Sequence, residues 1–129
     1  MYAVFKGNMK IIKKLLNLDV NIFELNSQGS TLLHISIISD QVDAMVYFKE
    51  KYNFNVNAKN INGSTPLHLA CFYGSESCFN VLLSWIEDVN EKNDDGNTPL
   101  HFLILTGKIF FYFYLNFLFF YFTEQKLKN

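Results

Sequence analysis

Three histidines are the residues of this chain whose type and spacing could support chemistry. His34, His68 and His101 each close a similar five-residue block, namely S-T-L-L-H, S-T-P-L-H and N-T-P-L-H. A zinc ion holds imidazole nitrogens at about 2.0–2.1 Å. Equivalent positions of stacked helical units, however, lie about 10 Å apart, close to the diameter of a helix. The three histidines therefore cannot bind one ion together, and we predict no metal site.

Other catalytic signatures are missing from the sequence. It contains no Gly-rich phosphate loop, no paired Cys-x-x-Cys and no nucleophile elbow. Acids such as Glu76, Glu87 and Asp88 fall where solvated helix ends and turns are expected. Cys71 and Cys78 are too few for a disulfide framework, and we interpret them as free buried thiols in a reducing compartment. We predict no enzyme and no cofactor.

The histidine blocks belong to an internal repeat. Thr31, Thr65 and Thr98 are 34 and then 33 residues apart. Threonine can cap the free N–H groups of a starting helix and proline suits the first helical position, so Thr65-Pro66 and Thr98-Pro99 predict helix starts. Nine residues after each threonine, a Gly or Asp is expected to end the helix. A second apolar-striped helix follows, and then a loop rich in Asn, Asp and Gly.

This period divides the chain into repeats and a tail. We predict a partial repeat at residues 1–28, complete repeats at 29–62 and 63–95, and a partial repeat at 96–107, followed by an aromatic-rich segment at 108–129. Outermost repeats need polar caps, which neither end of the sequence supplies. We therefore expect a fragment of a larger protein.

The repeat resembles the ankyrin repeat. The matching residues are G-S-T-P-L-H-L-A-C-F-Y-G from Gly63 to Gly74, V-L-L from Val81 to Leu83 and D-V-N from Asp88 to Asn90. The resemblance implies an all-α fold, an ankyrin-repeat solenoid of stacked antiparallel helix pairs with projecting β-hairpin-like loops. It also implies structural histidines that hydrogen-bond within and between repeats. The implied function is a non-catalytic scaffold that binds another protein through its loop tips and the concave face of the first helices.

Carrying that binding surface over to this sequence selects residues on the loops and at the ends of the first helices. The main positions are Lys59, Ile61, Asn62, Ser64, Phe72, Tyr73, Lys92, Asp94, Asp95 and Asn97. Less central positions are Ser27, Gln28, Ser30, Ile38, Ser39, Leu105 and Thr106. Large aromatics often dominate binding energy, so Phe72 and Tyr73 are the first choice. The alternative is that Phe72 packs against a neighbouring repeat.

The tail has an unusual composition. Ten of the fourteen residues from Ile109 to Phe122 are Phe or Tyr. Ten aromatics represent roughly 1,500–2,500 Å² of apolar surface, too much to leave in water. Three interpretations stay open: a second helix that closes the last repeat, a membrane-associating segment, or a translated intron. We favour the last of these.

Composition narrows the functional classes. Lys plus Arg (11) nearly cancels Asp plus Glu (12), so nothing in the charge predicts nucleic-acid binding. Lys10, Lys13 and Lys14 fit a solvated helix face. No secretory signal is recognisable, so we expect a cytoplasmic protein, with membrane contact only through Ile109 to Phe122. An alternative function is the regulatory or substrate-recruiting ankyrin region of a larger membrane protein, such as a DHHC-type palmitoyltransferase.

Overall fold

The computed structural model describes residues 1–107 and 109–128, with residues 109–118 described by their backbone alone. All the secondary structure that it assigns there is helical, which confirms the predicted all-α repeat fold. The helices are α1 (Tyr2–Phe5), α2 (Met9–Leu16), α3 (Leu32–Ile38), α4 (Val42–Tyr52), α5 (Pro66–Tyr73), α6 (Glu76–Trp85), α7 (Pro99–Leu105) and α8 (Ile109–Lys128). The first helices of the repeats, α1, α3, α5 and α7, pack side by side, and each also packs against its own second helix, α2, α4, α6 or α8.

Threonine opens the first helix of three successive repeats. Thr31, Thr65 and Thr98 are the N-cap residues of α3, α5 and α7, each with extended backbone. The Thr31 and Thr65 side chains accept hydrogen bonds from the backbone N–H three residues later. The helix starts predicted at Thr65 and Thr98 are therefore confirmed, and Thr31 opens α3 in the same way although no proline follows it.

Left-handed residues end the first helices. Gly74 caps α5 with φ 68°, a conformation in which a side chain is strained. Asp40 occupies the same position after α3 with φ 52° and no glycine to relieve the strain. Its carboxylate accepts a hydrogen bond at 3.0 Å from the backbone N–H of Cys78 in the first turn of α6. Asp40 therefore joins two repeats at a position where glycine would not.

One continuous core runs between the two helix layers. Phe48, Met45, Phe79 and Leu82 of the second helices are fully buried, as is Leu33 of α3. Repeats are held by such contacts with their neighbours.

The two cysteines lie within this core. Cys71 and Cys78 are free and buried, as the sequence predicts, and burial raises the pKa of both thiols.

The first repeat exposes an apolar surface that the inner repeats bury. Ile11 and Leu15 of α2 are 46% and 43% exposed, whereas the equivalent Ala44 and Phe48 of α4 are buried. Leu18, just beyond α2, is 61% exposed. We refer to Ile11, Leu15 and Leu18 as the N-terminal face.

Helix α8 extends well beyond the other second helices. It has 20 residues, against 11 in α4 and 10 in α6. Phe119 is buried and its ring lies 5.4 Å from that of Phe79, while Lys126 donates a hydrogen bond to the backbone oxygen of Ile86. The end of α8 therefore packs against the preceding repeat, while the three interpretations of the tail stay predictions.

The membrane interpretation concerns mainly residues whose side chains are not described. In the stretch from Ile109 to Phe122, the side chains of residues 109–118 lie outside the described part of the chain. Residue 108, just before this stretch, also lies outside it. None of the helices described here is both long and apolar enough to cross a bilayer.

Candidate protein-binding surface

Three similar loops, which we call fingers, precede the first helices α3, α5 and α7: residues 26–30, 60–64 and 93–97. In the second finger the Asn60 side-chain oxygen accepts hydrogen bonds from the backbone N–H groups of Asn62 and Ser64, each at 3.0 Å. Asn26 and Asn93 bind their own fingers in the same way. Asparagine favours such turns because its side chain can replace a backbone acceptor. One asparagine therefore shapes each finger.

Neighbouring fingers are joined by backbone hydrogen bonds. Ile61 N–H donates to the Gln28 oxygen at 2.9 Å, and Asp94 N–H donates to the Asn62 oxygen at 3.0 Å. The fingers thus form a short ladder across three repeats, although no strand is assigned within the described residues.

The motif histidines bind the N-cap threonines that join each finger to its helix. Nδ1 of His68 lies 3.1 Å from Thr65 N and 2.8 Å from Thr65 Oγ1, and its Nε2 lies 2.8 Å from the oxygen of Asn97 in the next finger. His34 binds Thr31 in the same way, and its Nε2 lies 2.9 Å from the oxygen of Ala58, just before the second finger. Because a backbone N–H can only donate, Nδ1 is an acceptor and Nε2 carries the proton.

This arrangement requires neutral histidines. A second proton on Nδ1 would face the donating N–H of the threonine. Burial lowers the pKa of His34 and that of His68 below the ordinary 6.5. Both rings are used structurally, and within the described residues no cluster of His, Cys, Asp or Glu could hold a metal ion.

A groove of about 310 Å³ opens between the fingers and the first helices. It joins residues from two fingers and from α3, α5 and α7. Its lining consists of Asn26, Gln28, Ser30, Ile38, Asn60, Asn62, Ser64, Leu69, Phe72, Tyr73 and Phe102. Seven residues of the transferred main and less central sets therefore line one concave site: Gln28, Ser30, Ile38, Asn62, Ser64, Phe72 and Tyr73.

Phe72 and Tyr73 form the exposed aromatic part of this groove. They are 44% and 45% exposed, and their rings lie 5.0 Å apart in an edge-on arrangement. Phe72 also contacts Phe102 of the next repeat at 5.6 Å. Phe72 thus packs on a neighbouring repeat and also keeps a free face, while its role in binding stays a prediction. Phe102 was missed, because its position in the motif gives no signal of exposure.

Most of the other transferred positions lie at the surface. Lys59, Asn62, Lys92, Asp94 and Asp95 are exposed, Asn97 is partly exposed and Ile61 is 63% exposed. Ser64 differs from the expected exposed position and corrects that part of the transferred surface. It is only 4% exposed, because it sits behind the finger, where its hydroxyl accepts a hydrogen bond from the Asn93 side chain at 3.4 Å.

The less central positions divide in the same way. Ser27, Gln28 and Leu105 are exposed, and Ile38, Ser39 and Thr106 are partly exposed. Ser30 is buried, like Ser64 one repeat later, although both serines border the groove.

Charge is distributed unevenly over the fingers. Lys59 and Glu91 form an ion pair at 3.1 Å. Asp94 and Asp95 at the tip of the third finger have no basic partner within ion-pair distance among the described residues. Asp94 also approaches the second finger closely, since a Cβ on Gly63 would lie 2.3 Å from its carboxylate oxygen. The third finger therefore places two unpaired carboxylates beside the groove.

Similarity to known proteins agrees with this architecture. The family described as ankyrin repeats (3 copies) matches residues 1–93 and, in an overlapping match, 51–116. The chain is 34% identical over 70 residues to the bovine (Bos taurus) SMC5-SMC6 complex localization factor protein 1, covering 54% of this chain and 7% of that protein. It is 27% identical over 85 residues to the Caenorhabditis elegans leucine-rich repeat serine/threonine-protein kinase 1, covering 66% of this chain and 4% of the kinase.

A shorter relative is matched over more of its length. The zebrafish (Danio rerio) Notch-regulated ankyrin repeat-containing protein A is 30% identical over 86 residues, which are 64% of this chain and 76% of that protein. The family match covers most of the sequence, and the repeated Thr–His caps, fingers and helix pairs are present in the structure. The chain belongs to the ankyrin-repeat family.

Proposed function

We propose that this chain is a non-catalytic module that binds another protein through its fingers and the concave face of its first helices. Ankyrin repeats generally mediate protein–protein interaction, and they are generally not catalytic. The observation that carries the proposal is the groove in which Phe72 and Tyr73 are nearly half exposed beside two fingers. Exposed aromatics at a concave site are typical of positions that dominate binding energy.

The available apolar surface is large enough to matter. An aromatic side chain can bury about 150–250 Å², so the exposed parts of the two rings amount to roughly 130–220 Å². At about 25 cal/mol per Å², burying them against a partner contributes about 3–6 kcal/mol before the costs of association. Loss of both rings should therefore weaken binding strongly.

The proposal also covers the cellular compartment of the protein and the class of its partner. Free buried thiols fit a reducing compartment, so we propose an intracellular protein. The formal net charge of −1 supports a protein partner over nucleic acid. Neither the described residues nor the relatives named above support a palmitoyltransferase, and we do not propose one.

A displayed library of random peptides, selected against the full chain, tests this surface. The variant carries Phe72→Ala and Tyr73→Ala. The control carries Phe120→Ala and Tyr121→Ala, which remove the same residue pair from helix α8, where the two side chains are 66% and 50% exposed. Each variant is compared with the wild type below its unfolding temperature, because losing the Phe72–Phe102 contact costs about 0.5–1.5 kcal/mol of stability.

We expect most selected peptides to lose at least about tenfold in affinity for the groove variant and to bind the control normally. A selection that yields no binder, or binders that tolerate the groove variant, would refute the proposed function.

A further inference from the structure

We propose that the groove takes an extended peptide segment with one large uncharged apolar side chain and a nearby lysine or arginine. This inference rests on the proposed function and adds the chemistry of the partner. Three features of the groove determine it: its apolar floor, its free amide donors and its acidic edge.

The floor of the groove accepts an uncharged side chain. Ile38, Leu69, Phe72 and Phe102 supply apolar surface from three helices, and none of the lining residues is charged. A charged group placed there would lose hydration without a counter-charge, which costs several kcal/mol. The anchor of the partner is therefore aliphatic or aromatic.

The walls of the groove offer hydrogen-bond donors. The side-chain oxygens of Asn26 and Asn60 each accept two backbone N–H groups from their own finger. Their Nδ2 groups make no hydrogen bond with another described residue and remain available at the lining. Such donors suit backbone carbonyls of a partner. Carbonyls in a helix are already bonded within the helix, so these donors favour an extended segment.

The edge of the groove selects a basic neighbour for the anchor. Asp94 N–H binds the oxygen of Asn62, which lines the groove, so the Asp94–Asp95 tip stands directly beside it. Lys59, just before the second finger, is already paired with Glu91. Two carboxylates without a basic partner in the described part of the chain attract a cationic side chain and repel an anionic one.

Peptides from the selection described above test this chemistry. We expect Lys or Arg to be enriched, and Asp and Glu to be depleted, within a few residues of a Leu, Ile, Met, Phe or Trp. Selected peptides are then synthesised in pairs, with the basic residue kept or replaced by Gln. Binding is measured by fluorescence anisotropy to the wild type, to the Asp94→Asn, Asp95→Asn double variant, and to Glu50→Gln as the control at an exposed position of α4.

The double variant should bind the basic peptide roughly threefold to tenfold more weakly at low salt and the Gln peptide unchanged. The difference should vanish near 1 M salt, where the Debye length is about 3 Å. Equal binding of the basic peptide to the wild type and the double variant, or selected peptides without basic enrichment, would overturn this inference. Sensitivity to Phe72→Ala and Tyr73→Ala would still hold in that case, so failure of the inference is distinct from failure of the proposed function.

Discussion

Replacing His68 or His101 with alanine separates the two functions of the motif histidine. Both rings accept the backbone N–H of their N-cap threonine, at 3.1 Å and 2.9 Å. Only His68 is described as also reaching the next finger, where its Nε2 donates to Asn97 at 2.8 Å. His68 is fully buried, whereas His101 is exposed. His101→Ala therefore removes the cap contact alone, whereas His68→Ala removes both the cap contact and the link to the next repeat.

The expected magnitudes follow from those contacts. Loss of the cap bond costs about 1 kcal/mol at either position. At His68 the Asn97 oxygen also loses its donor, which costs about 1–3 kcal/mol, and the edge-on contact with Phe102 at 5.5 Å is lost. We expect His68→Ala to lower the free energy of unfolding by about 3–4 kcal/mol and His101→Ala by about 1 kcal/mol.

Urea unfolding followed by far-ultraviolet circular dichroism measures both values. The two variants should show similar spectra in the absence of urea, because neither residue is required to form its helix. Equal losses of stability in the two variants would refute the view that the histidine links adjacent repeats. A larger loss for His101→Ala would contradict it outright.

Three further predictions concern other contacts of the stack. The two buried histidines bind fewer protons in the folded state than in the unfolded state, because their pKa values are lowered. The contribution of the two histidines to the free energy of unfolding should be fully present above pH 6.5 and should fall below it, by up to about 1.4 kcal/mol per pH unit for each histidine. A free energy of unfolding that does not change between pH 7.5 and 5 would contradict this. Asp40→Ala should cost about 2 kcal/mol of stability, because it keeps the left-handed strain and loses the hydrogen bond to Cys78. Asp40→Gly should cost less, because it removes the strain. Urea titrations that reverse this order would count against the contact. Phe119→Ala should cost about 3–5 kcal/mol because its buried ring packs on Phe79, and Phe120→Ala, with its ring 66% exposed, should cost much less; equal thermal shifts would argue against a closing helix.

The repeat and its caps could be predicted because they depend on short-range rules. A threonine followed by proline, and a glycine nine residues after the threonine, act on the backbone of their own helix. Thr65, Pro66 and Gly74 therefore have the same role in the structure as in the sequence. The period of 33 to 34 residues then fixes the stacking.

The composition of the groove could not be predicted in the same way. Ser64 occupies a finger position, yet the next finger covers it, which only the stacked arrangement decides. Phe102 completes the groove floor from the following repeat, and Asp94 reaches its edge through a bond between fingers. These contacts join residues about 30 positions apart.

The tail shows a further limit of composition. Its aromatic content predicts that the surface must be covered, but it does not identify what covers it. Where its side chains are described, α8 contacts the preceding repeat through Phe119, which packs on Phe79 of α6, and through Lys126, which binds Ile86 just beyond α6.

Mapping a selected peptide onto the full chain by nitrogen-15 NMR tests the binding surface most directly. We predict that the peptide shifts the side-chain NH₂ signals of Asn26 and Asn60 and the backbone signals around Phe72. Signals of the N-terminal face, at Ile11, Leu15 and Leu18, should not move. Shifts confined to the N-terminal face, with the two asparagine side chains unaffected, would contradict the account.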